Sequence, residues 1–429
     1  MSTFSKIYAV HHANKRSRLS DVMLFTLGLI SFFRIELIGQ IYLVEIVASV
    51  LLLIVLWVRR FELTIPITHR ILLILGFFWL CGAILTDIYR STPWEDLARG
   101  WASIIFLLLL IVFLYQLILV DTVKVYIIIL GYGIGQAFGI ILQPSELAEI
   151  DPWKFGLGSA ITVLLVAWIG LYYWRYNQIS RLGLASLFGL GFTSLALGSR
   201  SLGAVTIILA LFIWIRTTDF GTRIAHMHLT PLRLIFFFLI CICVVSLIGK
   251  TYGYSASKGL LGESAHEKYE IQSSGIFGIF VGGRIELLSS SRAIIDSPLL
   301  GHGSWAKGSI YRDYFLDMQE AGYQYDAQTL QHYIDQSDLI PTHSHVTQAW
   351  VWAGLLGVPF WLYVLFLCFK CGIKSIQNLD ELSVPALFFA ILGIWNVLFS
   401  PYGSFMRFLW AISLIVIIRS IDLKYYDRE

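Results

Sequence analysis

Long runs of apolar residues, separated by short polar segments, recur along most of the chain. A helix that crosses a membrane needs roughly 20 mostly apolar residues. Twelve stretches approach that length: 20–38, 41–58, 70–86, 101–120, 122–142, 156–175, 180–198, 201–216, 232–249, 347–369, 383–400 and 404–420. The pattern predicts an all-α polytopic membrane protein with about 12 transmembrane helices, although the acidic segment before 156–175 also allows that helix to be re-entrant.

One long polar segment interrupts this pattern at residues 250–346. It divides the chain into transmembrane helices 1–9 within residues 1–249, a large loop at 250–346, and transmembrane helices 10–12 within residues 347–429. A structureless loop of this length would be unusual, so we expect short helices at 284–296 and 309–335. The tyrosines of the loop and Trp305 suit stacking on sugars or, equally, anchoring at a membrane interface.

Composition and charge support a membrane environment. Hydrophobic residues make up 57% of the chain and charged residues 14%, whereas soluble domains carry about 25% charged residues. The net charge of +3, without a basic stripe interleaved with aromatics, argues against nucleic acid as a partner. If the N-terminus is cytoplasmic, the inner segments hold 18 lysines and arginines and the short outer segments hold six. This bias predicts that both termini are cytoplasmic and that the large loop lies outside.

A first candidate site is the turn Gly198-Ser199-Arg200-Ser201, between the seventh and eighth predicted spans. The eighth span starts outside, so free backbone amides, the positive end of a helix dipole and a guanidinium converge there. An arginine binds phosphate through two parallel hydrogen bonds, which makes this turn a candidate anion site. The alternative is an interfacial arginine that extends towards the headgroups.

A second candidate site is the predicted loop helix that carries Arg284 and Arg292. Two basic residues on one helix would close over an anion. The alternative is that they form salt bridges with Glu286 or Asp296.

The third candidate site is Thr342-His343-Ser344-His345, just before the tenth predicted span. Histidine is the natural general base near neutral pH, although interfacial histidines also serve as polar caps. No third ligand with the spacing of a metal site accompanies the two histidines, so no metal site is predicted.

Together the three sites predict one arrangement on the outer side of the membrane. Two arginines hold a diphosphate, and a histidine faces it. This arrangement suits transfer from a lipid diphosphate donor, with arginines in place of a metal as the groups that stabilise the leaving phosphate.

The motifs that carry these residues resemble a known family. Gly198-Ser199-Arg200 opens an apolar span, and Gly283-Arg284 is followed by the run RAIIDSPLLGHG at 292–303. His343-Ser344 comes next and is followed, after nine residues, by the run GLLG at 354–357. Their order and spacing, over roughly residues 195–365, resemble the O-antigen ligase and Wzy-type polysaccharide polymerase superfamily.

The resemblance implies a metal-independent, inverting glycosyltransferase of the bacterial inner membrane that needs no cofactor. Its donor would be an oligosaccharide on undecaprenyl diphosphate at the periplasmic face, and its acceptor a second glycan. Membrane lipids and a chain-length regulator would be its other partners. Arg200 and Arg284 would bind the diphosphate, and His343 would activate or position the acceptor hydroxyl. Supporting contacts would come from Arg292, His345, Ser199 and Ser201.

The superfamily includes both polymerases and ligases. The loop holds seven basic and eleven acidic residues, a net charge of −4, which suits the phosphate-rich lipid A core acceptor of a ligase poorly. This favours a polymerase of O-antigen or exopolysaccharide repeat units, with an O-antigen ligase as the alternative.

A transporter or flippase would place charges along a path in the membrane, where Glu45 is the main candidate. A protein-directed oligosaccharyltransferase and a structural scaffold are the remaining alternatives.

Overall fold

The computed structural model describes residues 18–58, 65–118, 121–219, most of 243–273, 286–317 and 338–426. Its helices are α1 Arg18–Leu29, α2 Leu43–Val58, α3 Ile67–Arg90, α4 Trp94–Ile118, α5 Thr122–Leu142, α6 Glu146–Ile150, α7 Gly158–Tyr176, α8 Arg181–Ala196, α9 Arg200–Arg216, α10 Glu263–Ser273, α11 Glu286–Asp296, α12 Ser309–Asp317, α13 His345–Ala353, α14 Val358–Gln377, α15 Ser383–Phe399 and α16 Arg407–Tyr426. Two short strands, β1 Arg34–Glu36 and β2 Gln40–Tyr42, pair antiparallel. Short 3₁₀ turns cover Ile30–Phe32, Gly354–Gly357 and Ser404–Met406, and a π turn covers Trp153–Leu157.

The described helices are apolar enough for a membrane protein. Six stretches are long and apolar enough to cross a bilayer: Ile67–Arg90, Trp94–Ile118, Thr122–Leu142, Trp153–Tyr176, His345–Gln377 and Ser404–Asp422. Shorter apolar helices cover Leu43–Val58, Arg181–Ala196 and Ser383–Phe399. The predicted helical membrane architecture is therefore confirmed, whereas the count of about 12 crossings stays a prediction.

The described residues depart from the predicted spans at two places. The first predicted span, 20–38, is helical only as far as Phe32, and its last residues enter the β1–β2 hairpin. The tenth, 347–369, is broken at Gly354, so that α13 and α14 are separate helices. α14 alone, at 20 residues, is about 30 Å long and already matches the hydrocarbon core. The predicted span 232–249 lies mostly outside the described residues.

Polar contacts between helix ends form two groups at opposite ends of the bundle. The first group, whose end we call the loop side, includes Glu45–Arg407, Ser103–Tyr402 and Asp87–Ser304. The second group includes Thr68–Asp422, Tyr126–Glu381 and Lys374–Asp380. α3 begins in the second group and ends in the first, and α16 runs the opposite way, as expected of helices that traverse one layer.

The repeated GxxxG spacing at Gly131, Gly135 and Gly139 brings α5 against α1. A Cβ on Gly135 would lie 2.6 Å from the carbonyl oxygen of Leu29, and one on Gly139 would lie 2.6 Å from Cβ of Phe32. These distances leave no room for a side chain. The close helix approach that the spacing predicts is therefore confirmed.

Candidate active site

His343 lies beside a carboxylate that belongs to the large loop. Its Nδ1 is 3.7 Å from Oε1 of Glu286, the first residue of α11. Both side chains are partly accessible, with 27% of His343 and 13% of Glu286 exposed. A carboxylate near Nδ1 favours the tautomer with its proton on that nitrogen, in which Nε2 carries the lone pair that can accept a proton. The pair can therefore act as an oriented general base.

The position of His343 follows from the start of α13. Ser344 caps this helix by accepting a hydrogen bond from the backbone N–H of Thr347, and its hydroxyl donates to the carbonyl oxygen of Val397 at 2.9 Å. Val397 lies near the end of α15 on the loop side. Ser344 therefore joins the first turn of α13 to α15 and fixes the height of His343 in the bundle.

Side-chain hydrogen bonds hold α11, which carries Glu286. The Ser289 hydroxyl donates to the carbonyl oxygen of Tyr311 at 2.6 Å, and Nε2 of His302 lies 2.7 Å from the carbonyl oxygen of Ala293. Burial lowers the pKa of His302 below its ordinary value, so the ring is neutral near pH 7 and Nε2 donates this bond. The bonds orient α11 so that its first residue faces His343.

A buried carboxylate fastens the loop to the membrane helices. Asp87, near the end of α3, accepts hydrogen bonds from the backbone N–H of Ser304 at 2.6 Å, from its hydroxyl at 2.7 Å and from the Trp101 indole at 2.8 Å. Beside it, the Arg90 guanidinium donates to the carbonyl oxygen of Gly301 at 2.8 Å and 3.1 Å. A further ion pair joins Lys307 to Asp96 at 2.5 Å. The segment 300–307 is therefore docked on α3 and α4.

Substitution of Asp87 by alanine is expected to destabilise the protein by about 2–4 kcal/mol, because buried donors of Ser304 and Trp101 lose their acceptor and each costs about 1–3 kcal/mol. The midpoint of thermal unfolding in detergent measures this loss. Glu36→Ala is the control, since that carboxylate is 66% exposed and its removal should change stability by less than about 1 kcal/mol. Equal midpoints for the two variants would show that Asp87 does not hold the loop.

The two glycine-containing runs noted above form one backbone unit. The N–H of His302 donates to the carbonyl oxygen of Val351 at 2.6 Å, and the N–H of Leu355 donates to that of Leu299 at 3.1 Å. A Cβ on Gly301 would lie 2.6 Å from the backbone nitrogen of Gly354. The run at 292–303 therefore packs directly on the run at 354–357, which the spacing alone did not predict.

His345 has a different environment from His343. Its side chain is fully buried, with Nδ1 2.6 Å from the carbonyl oxygen of Ser400 and Nε2 accepting a bond from the Trp410 indole at 2.9 Å. The rings of Trp361, Tyr402 and Trp410 surround it. Because both ring nitrogens are bonded to the protein, the supporting contact to substrate expected of His345 is replaced by a role in packing.

Arg200 is the first residue of α9 and lies on the loop side, with Ser199 buried at the N-cap position and Ser201 half-buried. α9 packs against α15, whose loop-side end receives the bond from Ser344. α15 therefore contacts both α9, which starts at Arg200, and the first turn of α13, which starts beside His343.

Of the two candidate arginines in the large loop, Arg284 and Arg292, the structure describes only Arg292. Arg284 lies outside the described residues, two positions before Glu286. Arg292 is 60% exposed and pairs with Asp296 at 3.4 Å, so the salt-bridge alternative holds for this residue. A surface pair of this kind contributes little to stability or binding.

The candidate transport residue is also paired. Glu45 is buried, and its Oε1 lies 2.5 Å from Nε of Arg407, while its Oε2 accepts the backbone N–H of Tyr42 at 2.8 Å. Nearby, a cavity of about 10 Å³ borders Gly100, Ser304 and Gln348, room for about one water molecule. The Glu45 carboxylate therefore makes a structural contact on the loop side of the bundle.

Sequence reasoning missed Glu286 and Asp87 as parts of the site. Glu286 entered it only as a salt-bridge partner for an arginine on its own helix, and Asp87 was not singled out. A signal was present for Asp87, since a carboxylate in the last turn of an apolar helix is opposed by the helix dipole and needs compensating donors.

Comparison with protein-family models and with curated proteins found no match to this chain.

Proposed function

We propose that this protein is a glycosyltransferase that moves a glycan from an undecaprenyl-diphosphate donor to an acceptor sugar on the loop side of the bacterial inner membrane. The observation that carries the proposal is the His343–Glu286 pair, 3.7 Å apart. It stands at the start of a helix on the side where the Arg200 helix also begins. We assign the loop side to the periplasm because of the distribution of lysine and arginine.

The reaction follows from the assigned roles. Nε2 of His343 removes the proton of the acceptor hydroxyl, and Glu286 stabilises the imidazolium that forms. The acceptor oxygen forms a bond to the anomeric carbon from the face opposite the leaving group, so the configuration inverts. The bond from that carbon to the diphosphate oxygen breaks, and the lipid diphosphate leaves with the electron pair. Arg200 and Arg284 stabilise its negative charge, so no metal or cofactor takes part.

The acceptor is a second lipid-linked repeat unit, which makes the protein a polymerase of O-antigen or exopolysaccharide. The loop's net charge of −4 supports this choice over a ligase, since an acidic surface repels the phosphates of a lipid A core. A chain-length regulator is then a natural partner. Transport is less well supported, because Glu45 is engaged by Arg407.

The decisive experiment supplies the purified protein in nanodiscs with a synthetic undecaprenyl-diphosphate repeat unit, with EDTA present. A ladder of products without lipid A core is expected of a polymerase. Product formed only when lipid A core is added would identify a ligase instead. Absence of product with either acceptor would overturn the proposed activity, and product that needs added divalent ions would overturn the arginine-only stabilisation.

Replacement of Arg200 by glutamine is expected to slow transfer by about 10²–10³-fold, the usual cost of removing one group that stabilises the developing anion. Arg292→Gln is the matched control, because that arginine is 60% exposed in a surface ion pair and should change the rate by less than about threefold. The ladder assay measures both. Similar rates for the two variants would remove Arg200 from the diphosphate site.

A further inference from the structure

The last turn of α11 and the segment that follows it expose large apolar side chains on a fixed backbone. Ile295 is 69% exposed and Leu299 is 70% exposed, and Leu300 is exposed as well. The Trp350 indole donates to the carbonyl oxygen of Pro298 at 2.8 Å, and the N–H of Leu355 donates to that of Leu299 at 3.1 Å. These bonds hold the apolar side chains outward, so they cannot fold back into the core. A surface of this kind indicates a partner that covers it.

The neighbours of this segment are exposed and apolar too. They are Ile88 and Tyr89 at the end of α3, and Leu355 and Leu356 before α14. We call these residues together with Ile295, Leu299 and Leu300 the loop-side patch. Thr86 donates its hydroxyl hydrogen bond to the carbonyl oxygen of Leu300, which places the segment directly beside the last turn of α3.

The patch continues the lipid-facing stripe of α3. The exposed apolar residues of that helix include Ile67, Ile71, Ile74, Phe78, Leu85 and Ile88, which are three, four or seven positions apart and so share one helix face. On a helix that spans a membrane, such a stripe faces acyl chains. Ile88 belongs to both the stripe and the patch, so the two apolar surfaces meet at this residue.

We propose that residues 295–300 lie in the loop-side leaflet of the bilayer, where lipid acyl chains cover Ile295, Leu299 and Leu300. The charge within the segment is compatible with this position. Asp296 pairs with Arg292 at 3.4 Å and accepts a bond from the Tyr311 hydroxyl at 3.1 Å. The large loop is thereby anchored to the membrane by its own apolar residues, in addition to its docking on α3 and α4.

The anchor fixes the position of the candidate site relative to the membrane surface. This step rests on the proposed function, whereas the lipid contact itself does not. α11 spans Glu286 to Asp296, 11 residues, or about 16 Å of helix. The headgroup layer is about 5–8 Å thick on each side. The His343–Glu286 pair therefore lies no more than about 16 Å along α11 from the anchored residues, which keeps it close to the membrane surface.

Fluorescence quenching in liposomes tests the contact without measuring catalysis. All five cysteines are replaced by alanine, and a single cysteine at Leu299→Cys is labelled with bimane. Asp313→Cys is the control, because Asp313 is 52% exposed in a charged cluster with Arg312 and Asp338. The quenchers are phosphatidylcholine with a doxyl group near the glycerol backbone, and aqueous iodide.

We expect doxyl lipid to quench position 299 at least about threefold more strongly than position 313, and iodide to show the reverse order. Equal quenching of the two positions by iodide, with little effect of doxyl lipid on either, would overturn the lipid contact. Iodide protection at 299 without doxyl quenching would show a protein partner on the patch and would overturn it as well. A failed transfer assay with the expected quenching would contradict only the proposed function.

Discussion

Replacement of His343 by alanine is expected to slow glycan transfer by about 10²–10⁴-fold, the range that a positioned general base contributes. Glu286→Gln keeps the size of the side chain and removes its charge, so we expect a smaller loss of about 10–100-fold. Initial rates of product formation by purified protein in nanodiscs measure both effects. His266→Ala is the control, because His266 is a partly exposed histidine of α10 whose ring lies 3.0 Å from the carbonyl oxygen of Ala256 and 3.5 Å from Glu270, both outside the candidate site.

The double variant separates a catalytic pair from two independent residues. If Glu286 acts by orienting and stabilising the His343 ring, Glu286→Gln should have little further effect once His343 is alanine. Additive losses would show that the two side chains act separately. A rate for His343→Ala equal to that of His266→Ala would remove His343 from the reaction.

Gly354→Ala is expected to have the largest effect on folding, a destabilisation of about 3 kcal/mol or more. Gly354 has φ 64° and ψ −157°, a region that is essentially restricted to glycine. An added Cβ would also lie 2.6 Å from the carbonyl carbon of Leu299, so the loop would have to move. Yield and the midpoint of thermal unfolding in detergent measure the effect.

Gly372→Ala is the matched control for this prediction. Gly372 lies inside α14, and an added Cβ there would meet no atom of the described chain within 4 Å. Alanine is favoured over glycine within a helix, so this variant should be more stable by about 0.5–1 kcal/mol. A Gly354→Ala protein as stable as the Gly372→Ala protein would refute the close packing of residues 299–303 on Gly354.

The features that the sequence predicted correctly depend on local patterns. Apolar runs indicated membrane helices because only a membrane accommodates so much apolar surface, and the GxxxG spacing indicated that a neighbouring helix packs closely on α5. The sequence also predicted candidate residues at helix N-termini, and the structure has Arg200 and Ser344 at such positions. The roles of Arg200, Arg284 and His343 in transfer stay predictions.

The features that were missed depend on contacts between distant parts of the chain. Asp87 and Ser304 are 217 positions apart, and no local pattern connects them. The break at Gly354 was hidden because the apolar run continues through it, although a positive φ interrupts the helix. A supporting contact was predicted for His345, but its ring, in the first turn of α13, points into the core, whereas His343 precedes the helix and stays partly exposed.

The distance along the chain between Asp87 and its loop partners also has a consequence for biosynthesis. Synthesis proceeds at about 5–20 residues per second, so the ribosome needs about 10–40 s to make the 217 residues that separate Asp87 from Ser304. During that interval the carboxylate lacks its loop donors and must stay hydrated at the membrane surface. The nascent chain therefore has an unsatisfied polar site at the end of α3 until the large loop has been synthesised and has docked there.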